Sequence, residues 1–509
     1  MGQGDVVALR HALLGGVRQP NDVRFRVIDG AVDTAAAFVS LYAGSENAFW
    51  LDSSGIASAR GRFSFMGDAS GPLGEIVRYR VGSGAVTVEC ANRQESLPGN
   101  AFSVLRQRLA ERRSENADVL PFSFIGGYVG YFGYELKVDC GSVNAHVAPH
   151  PDAMWMFADR FIAVDHQAEK TYVVTISDSV GSKTANSEWL AATVRQLECL
   201  ENQRPNAGTL LADDGTTIDD EAIADSLLLR DRSTYLADIE ECLRLLEAGE
   251  SYEICLTNAA QLAPPRDPLG FYLRLRAASP ASHAAFLRFG DLTVASASPE
   301  RFLRVDADRV VEACPIKGTS GRSSDSADDD RLRETLATSA KTRAENLMIV
   351  DLLRNDLGSV CEVGSVEVPV FMQVESYATM HQLVSTIRGR LRPDVDALGC
   401  VRACFPGGSM TGAPKLRTME ILDRIEGRAR GIYSGALGYF SASGSADLSV
   451  VIRTAVIDAN VMSVGAGGAI VLDSQPEAEF DEMVLKAAVA LKAYRGPAAP
   501  VVVDGLRQA

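Results

Sequence analysis

The sequence predicts a mixed α and β fold, on three observations. Short runs rich in β-branched residues, "AVTVEC", "RFIAVD" and "KTYVVTI", have the composition of strands. "NAFSVLRQRLAERR" and "SEWLAATVRQLECLEN" instead repeat apolar residues at helical spacing. Further on, "RSTYLADIEECLRLLEAGE" reads as a helix that runs straight into the strand "SYEICLT".

Taken in order, the first 200 residues alternate such strands and helices. Within them lies "PFSFIGGYVGYFGYELK", residues 121–137, where Gly126, Gly127, Gly130 and Gly133 alternate with aromatics. That pattern predicts close packing of backbones and argues against a flexible linker. Residues 202–220, "NQRPNAGTLLADDGTTIDD", are polar and rich in turn formers, and they are the expected linker. The chain therefore divides into an N-terminal region, 1–205, and a region 221–509 that holds nearly all the chemical candidates. In the second region Tyr235, Ile239, Cys242 and Leu246 mark one helix face, and Gly249 supplies its cap. No internal repeat of fixed period appears, which argues against solenoids and propellers.

"SPERFLRVDADRVVEACPIKGT" reads as a hairpin with "DAD" at its turn. Pairing Val305 with Arg309 sets Glu300 opposite Cys314. Lys317 then lies three residues beyond, about 10 Å along the strand at most. A salt bridge tying down the hairpin end and a nucleophile with a nearby general acid are both compatible with that spacing. Downstream, "KTRAENLMIVDLLRNDLG" is a helix carrying Glu345. "DSQPEAEFDEMVLKAAVALKAY" is another, with Ser474 and Glu477 in capping-box spacing. On it Glu479, Glu482 and Lys486 share one face. Carboxylates from two helices suit magnesium, a hard cation that takes one or two of them and keeps waters; an exposed acidic face is the plainer reading.

"SVGAGGAIVLDS" reads as a glycine loop whose N–H groups could cradle a carboxylate, although a bulge or tight turn is the commoner meaning. "FPGGSMTGAPK" departs from a phosphate loop at Ala413 and Pro414. His381 stands alone. Nine cysteines without a C-x-x-C pair, Cys400 and Cys404 among them, read as reduced core thiols.

The formal charge of −16 argues against nucleic acid and anionic membrane as partners. No apolar run approaches the ~18 residues of a membrane span, and the first residues lack the pattern of a signal peptide. A cytoplasmic small-molecule enzyme is expected.

The ordered set "SPERF", "PIKGT", "RAENLMIVDLLRNDLGSV", "MHQLVSTIRG", "FPGGSMTGAPK", "GIYSGALGYF", "VIRTAV" and "GAGGAIVLDSQPEAEFDE" resembles the chorismate-utilising enzymes. Within that family it is most similar to the aminodeoxychorismate synthase branch, component I. The resemblance implies an α+β fold, an antiparallel β-sandwich with surrounding helices and the active site between the sheets. It implies Mg2+ held directly by Glu345 and Glu482, with Glu479 acting through water. The position three before Glu345, acidic in many relatives, is Thr342 here. Chorismate would be held by Tyr433, Arg453, Lys486 and the stretch Gly465, Ala466, Gly467 and Gly468, with His381 and Thr411 near its ring.

The resemblance also assigns Lys317 as the covalent nucleophile, where anthranilate, isochorismate and salicylate synthases typically carry alanine, and Glu300 as the acid that protonates the leaving hydroxyl. Glu253 stands where water-using relatives place a lysine base, which disfavours isochorismate and salicylate synthesis. The expected reaction is chorismate plus ammonia to 4-amino-4-deoxychorismate, in para-aminobenzoate and folate biosynthesis. Anthranilate synthase is the nearest alternative, and a decayed effector-binding relative the non-enzymatic one. No cysteine sits in G-x-C-x-G, so a separate glutamine amidotransferase subunit is expected to supply the ammonia.

Overall fold

Adjacent residues of one strand point to opposite faces, and this chain uses both faces of its strands. In the strand Asn47–Asp52, Phe49 packs in one buried cluster and Trp50 in another; Phe65 and Met66 divide in the same way. Such strands read as nearly continuous apolar runs because each face has a layer against it. The computed structural model describes residues 21–494 apart from 54–60, 92, 115–119, 144, 202–222 and 378–379. The chain start and the expected linker 202–220 lie outside the described residues.

Two antiparallel sheets, of 11 and 12 strands, stack face to face. Between them lie Phe49, Phe65, Phe124, Tyr131, Met156 and Phe161. The outer face of the 11-stranded sheet, with Trp50 and Leu256, is covered by helices contributing Tyr235, Ile239, Phe480 and Met483. The outer face of the 12-stranded sheet is covered through Ile349, Leu353 and Leu398. The fold is therefore the α+β sandwich expected.

Both sheets mix strands from the two ends of the chain. Asn47–Asp52 pairs with His283–Phe289, and Gly127–Phe132 pairs with Ala436–Ser441, where Gly130 faces Gly438. Among the described residues, no helix is long and apolar enough to cross a membrane.

The hairpin register differs from the expected one. Val305 pairs with Val311 and Arg304 with Glu312, two residues beyond the expected partner. The cause is the turn: Asp306 N–H donates to the Val310 carbonyl, and Arg309 adopts a left-handed φ of 63°. That is a three-residue loop with a bulge, which consumes more chain than "DAD" alone. The strand Ile316–Gly321 then leaves the hairpin and pairs with Met380–Arg390.

Candidate active site

Lys317 sits on a bulge. Ile316 pairs with Val384, but the next pair is Thr319 with Gln382, so the ladder shifts across Lys317 and Gly318. A bulge of this kind re-aims a side chain. Gly318 has φ 83°, and a Cβ there would lie 2.3 Å from the Thr342 methyl carbon. Glycine is therefore required beside Lys317, and Thr342, non-acidic here, packs against it.

The Lys317 ammonium donates to Glu253 Oε1 at 2.8 Å, and both side chains are almost wholly buried. Glu253 opens a strand at one end of the 11-stranded sheet, and Lys317 lies on the terminal strand of the other sheet. The pair thus joins the two sheets. Burial alone would lower the lysine pKa, as a sheltered amine suggests, but Glu253 and Glu345 outweigh it and hold the amine above its ordinary value. Lys317 rests as an ammonium. Glu253 Oε2 is buried without a hydrogen-bond partner among the described residues.

Glu300 is also buried, and its Oε1 accepts from Ser409 Oγ at 2.8 Å. Burial pushes its carboxyl up to about 7, against the opposing pull of Ser409, Lys317, Arg453 and Lys486. A carboxyl titrating near neutrality can donate a proton to a leaving group. Arg453, strained at φ 50°, makes no side-chain ion pair among the described residues, and burial lowers its pKa. Its planar fork is free for a carboxylate.

The glycine stretch is a strand, not the expected loop. Met462–Ile470 pairs with Glu253–Leu262 throughout, placing Ala466 opposite Asn258 and Gly467 opposite Thr257. On its other side, pairing with Thr454–Ile457 stops at Val464. A Cβ on Gly465 would fall 2.2 Å from the Tyr433 ring, so this glycine makes room for Tyr433. Lys486 donates to the Gly467 carbonyl at 2.9 Å and pairs with Glu482 at 2.8 Å.

The acidic residues lie on two helices, Ala340–Gly358 and Pro476–Leu491. Asn346 anchors the first by accepting from Ser385 Oγ at 2.6 Å. In the second, the cap position is Gln475, so the expected capping box is absent; Ser474 Oγ instead donates to Glu479 Oε1 at 2.7 Å. Glu479 is buried and Glu345 largely so, whereas the Glu482 side chain is 54% exposed. Among the described residues, no group of three or more His, Cys, Asp or Glu side chains is gathered closely enough to hold a metal. What the carboxylates share is a cation from the chain: Lys341 Nζ stands 3.0 Å from Glu479 Oε1 and 3.9 Å from Glu345 Oε1. Carboxylate oxygens are the donor type that a hard cation such as magnesium takes, and an ammonium of the chain already stands between two of them.

His381 and Thr411 make hydrogen bonds within the chain. The His381 ring contacts Ser376 Oγ at 2.7 Å and Asp329 Oδ1 at 3.1 Å. The Thr411 hydroxyl donates to the carbonyls of Gly407 and Gly408. A separate cavity of about 560 Å³, bordered by Asp52, Arg62, Ser282, Arg301 and Tyr439, includes none of the predicted site residues.

Residues 73–492 match the family described as chorismate binding enzyme. The chain belongs to the chorismate-binding enzyme family. An aminodeoxychorismate synthase of Streptomyces pristinaespiralis is 48% identical over 91% of this chain, which spans 64% of that relative's length. Anthranilate synthase component 1 of Methanothermobacter thermautotrophicus is 33% identical, covering 89% of this chain and 90% of its own. Among solved structures, anthranilate synthase component I of Streptococcus pneumoniae superposes with a TM-score of 0.71 at 27% identity, over 85% of this chain and 93% of that one.

In this chorismate-binding enzyme, several supporting residues carry no sequence signal of their own. Ser409 lies unremarked inside "FPGGSMTGAPK". Arg430 and Glu426, both nearly fully buried, form an ion pair at 2.7 Å that also reaches the carbonyls of Met410 and Cys255 and the backbone N–H of Thr257. This network ties the Ser409 turn to the strand that begins at Glu253. An i, i+4 Glu–Arg spacing is the only hint, and surface pairs share it.

Proposed function

We propose that this chain aminates chorismate at C4 to give 4-amino-4-deoxychorismate, with ammonia delivered by a glutamine amidotransferase, toward para-aminobenzoate and folate. One observation carries the reading: a buried lysine, Lys317, within electrostatic reach of a carboxyl poised near neutrality, Glu300. A C2-aminating anthranilate synthase would need no such lysine.

Arg453, the backbone edge at 465–468 and Lys486 bind the substrate carboxylates and orient the ring. Magnesium, held by Glu345 and Glu482 directly and by Glu479 through water, would supply a hard anchor for a substrate carboxylate. Lys317 passes a proton to Glu253, its hydrogen-bond partner, and its Nζ attacks ring C2. The double bond shifts, the C4–O bond breaks, and Glu300 protonates the departing hydroxyl, which leaves as water. Ammonia then forms the C4–N bond, the double bond returns, and the C2–N bond breaks to release Lys317 as a free amine, which takes its proton back from Glu253. The C4 ammonium returns a proton to Glu300. Burial of Lys317 and Glu300 keeps water from competing at C4.

The test supplies chorismate, magnesium and ammonium to the purified chain and identifies the product by mass and by conversion with a lyase. The expected product is 4-amino-4-deoxychorismate, and anthranilate as the main product would overturn the reading. Lys317→Ala is expected to abolish most C4 amination while chorismate still binds; unchanged product formation would refute the covalent role.

A further inference from the structure

Two of the three acidic residues of the proposed magnesium site, Glu479 and Glu345, already have a cation of the protein between them, Lys341, while Glu482 pairs with Lys486. Lys341 lies in the first turn of the Ala340–Gly358 helix, one turn before Glu345, and reaches across to the Pro476–Leu491 helix. It takes the same Glu479 oxygen that accepts from Ser474 Oγ. Glu479, Glu345 and Glu482 all act electrostatically on its ammonium. Glu479 is only 4% exposed, so it needs a partner where it stands. The Lys341 side chain is 45% exposed, so its ammonium can swing into water without disturbing the core.

An ammonium on Glu479 and 3.9 Å from Glu345 Oε1 stands within a few ångströms of any divalent ion that Glu345 would hold, and like charges that close repel strongly where water screens them poorly. We infer that Lys341 is a tethered counter-ion, occupying the place of the metal in the ligand-free enzyme and leaving it when magnesium binds. The inference rests on the magnesium reading above. Lys341 stabilises the metal-free carboxylates and, by the same contacts, weakens the apparent affinity for metal, because only the fraction of molecules with Lys341 withdrawn can bind. It is a positioning residue for the site, and it touches no reacting atom.

Calorimetric titration of the full chain with Mg2+, without chorismate, tests this. Lys341→Met is expected to bind Mg2+ at least tenfold more tightly than wild type, and Lys341→Arg, which keeps the charge, to stay close to wild type. In EDTA, Lys341→Met is expected to have the lower Tm, with Mg2+ restoring it. Should Lys341→Met fail to fold in EDTA, Lys341→Gln, which can still donate a hydrogen bond to Glu479, takes its place with the same expected gain. Equal or weaker Mg2+ affinity in the neutral variants would overturn the inference and make Lys341 a support for the metal site. Mg2+ affinity unaltered by Glu345→Gln would remove the magnesium reading itself, and the competition with it.

Discussion

Glu300 shows how one side chain acquires an activity from its surroundings. A carboxyl in water is ionised at neutral pH, but burial brings this one to about 7. Activity that needs its proton should fall about tenfold per pH unit on the alkaline side of 7. Glu300→Gln is expected to lower kcat by about 10²–10⁴-fold and to flatten that limb. Stability runs in the same direction. The folded pKa lies above the unfolded one, so the proton-linked stability is complete below the unfolded pKa and is lost as pH rises through about 7. Glu300→Gln should therefore raise Tm at pH 8 and leave it nearly unchanged at pH 4, which thermal melts at the two pH values would check. Glu300 and Lys317 were legible in the sequence through their motifs. The hydrogen bond from Ser409 and the salt link to Glu253 were not, because each joins distant stretches whose meeting depends on sheet topology.

Among elements, the bulge at Lys317–Gly318 decides where the amine points. Gly318→Ala adds a Cβ at a left-handed φ and into the Thr342 methyl, strain on the order of 1–3 kcal/mol. A measurable fall in Tm and a loss of C4 amination well beyond that explained by unfolding are expected; unchanged kcat at a temperature where the variant is folded would count against the bulge. The helices and strands singled out in the sequence formed where composition and periodicity placed them. The Met462–Ile470 strand was not readable, since three glycines erase the β-branched signature. Gly465 and Gly467 are there because Tyr433 and the facing Leu256–Thr257 backbone occupy the space of a side chain, whereas a Cβ on Gly468 would meet Glu479 and Lys486 only at ordinary contact distance. The hairpin register failed for a similar reason: the extra residue at Arg309 depends on a backbone conformation that composition does not announce.

Across the whole molecule, stability and the site share one buried network. Arg430 and Glu426 bind the Met410 turn to the Cys255–Thr257 segment, so they hold Ser409 and Glu253 in one frame. Arg430→Met leaves Glu426 buried and unpaired, at a cost of about 3–5 kcal/mol. Denaturant melts should show that loss, and Glu426→Leu placed on top should recover part of it; additive losses would mean that the two residues do not act as a pair. Sequence composition anticipated the fold class here, and the family motifs its sandwich form. They gave no sign that the two sequence regions build both sheets in common.

That interleaving has a consequence for the chain as it is made. The strand Gly127–Phe132 waits for a neighbour, Ala436–Ser441, that leaves the ribosome roughly 300 residues later, some 15–60 s at ordinary synthesis rates. For that time its apolar edge stands open beside every other nascent copy. Pausing, crowding or early termination between these strands should therefore decide how much of this protein ends in aggregates, more than any change at its active site.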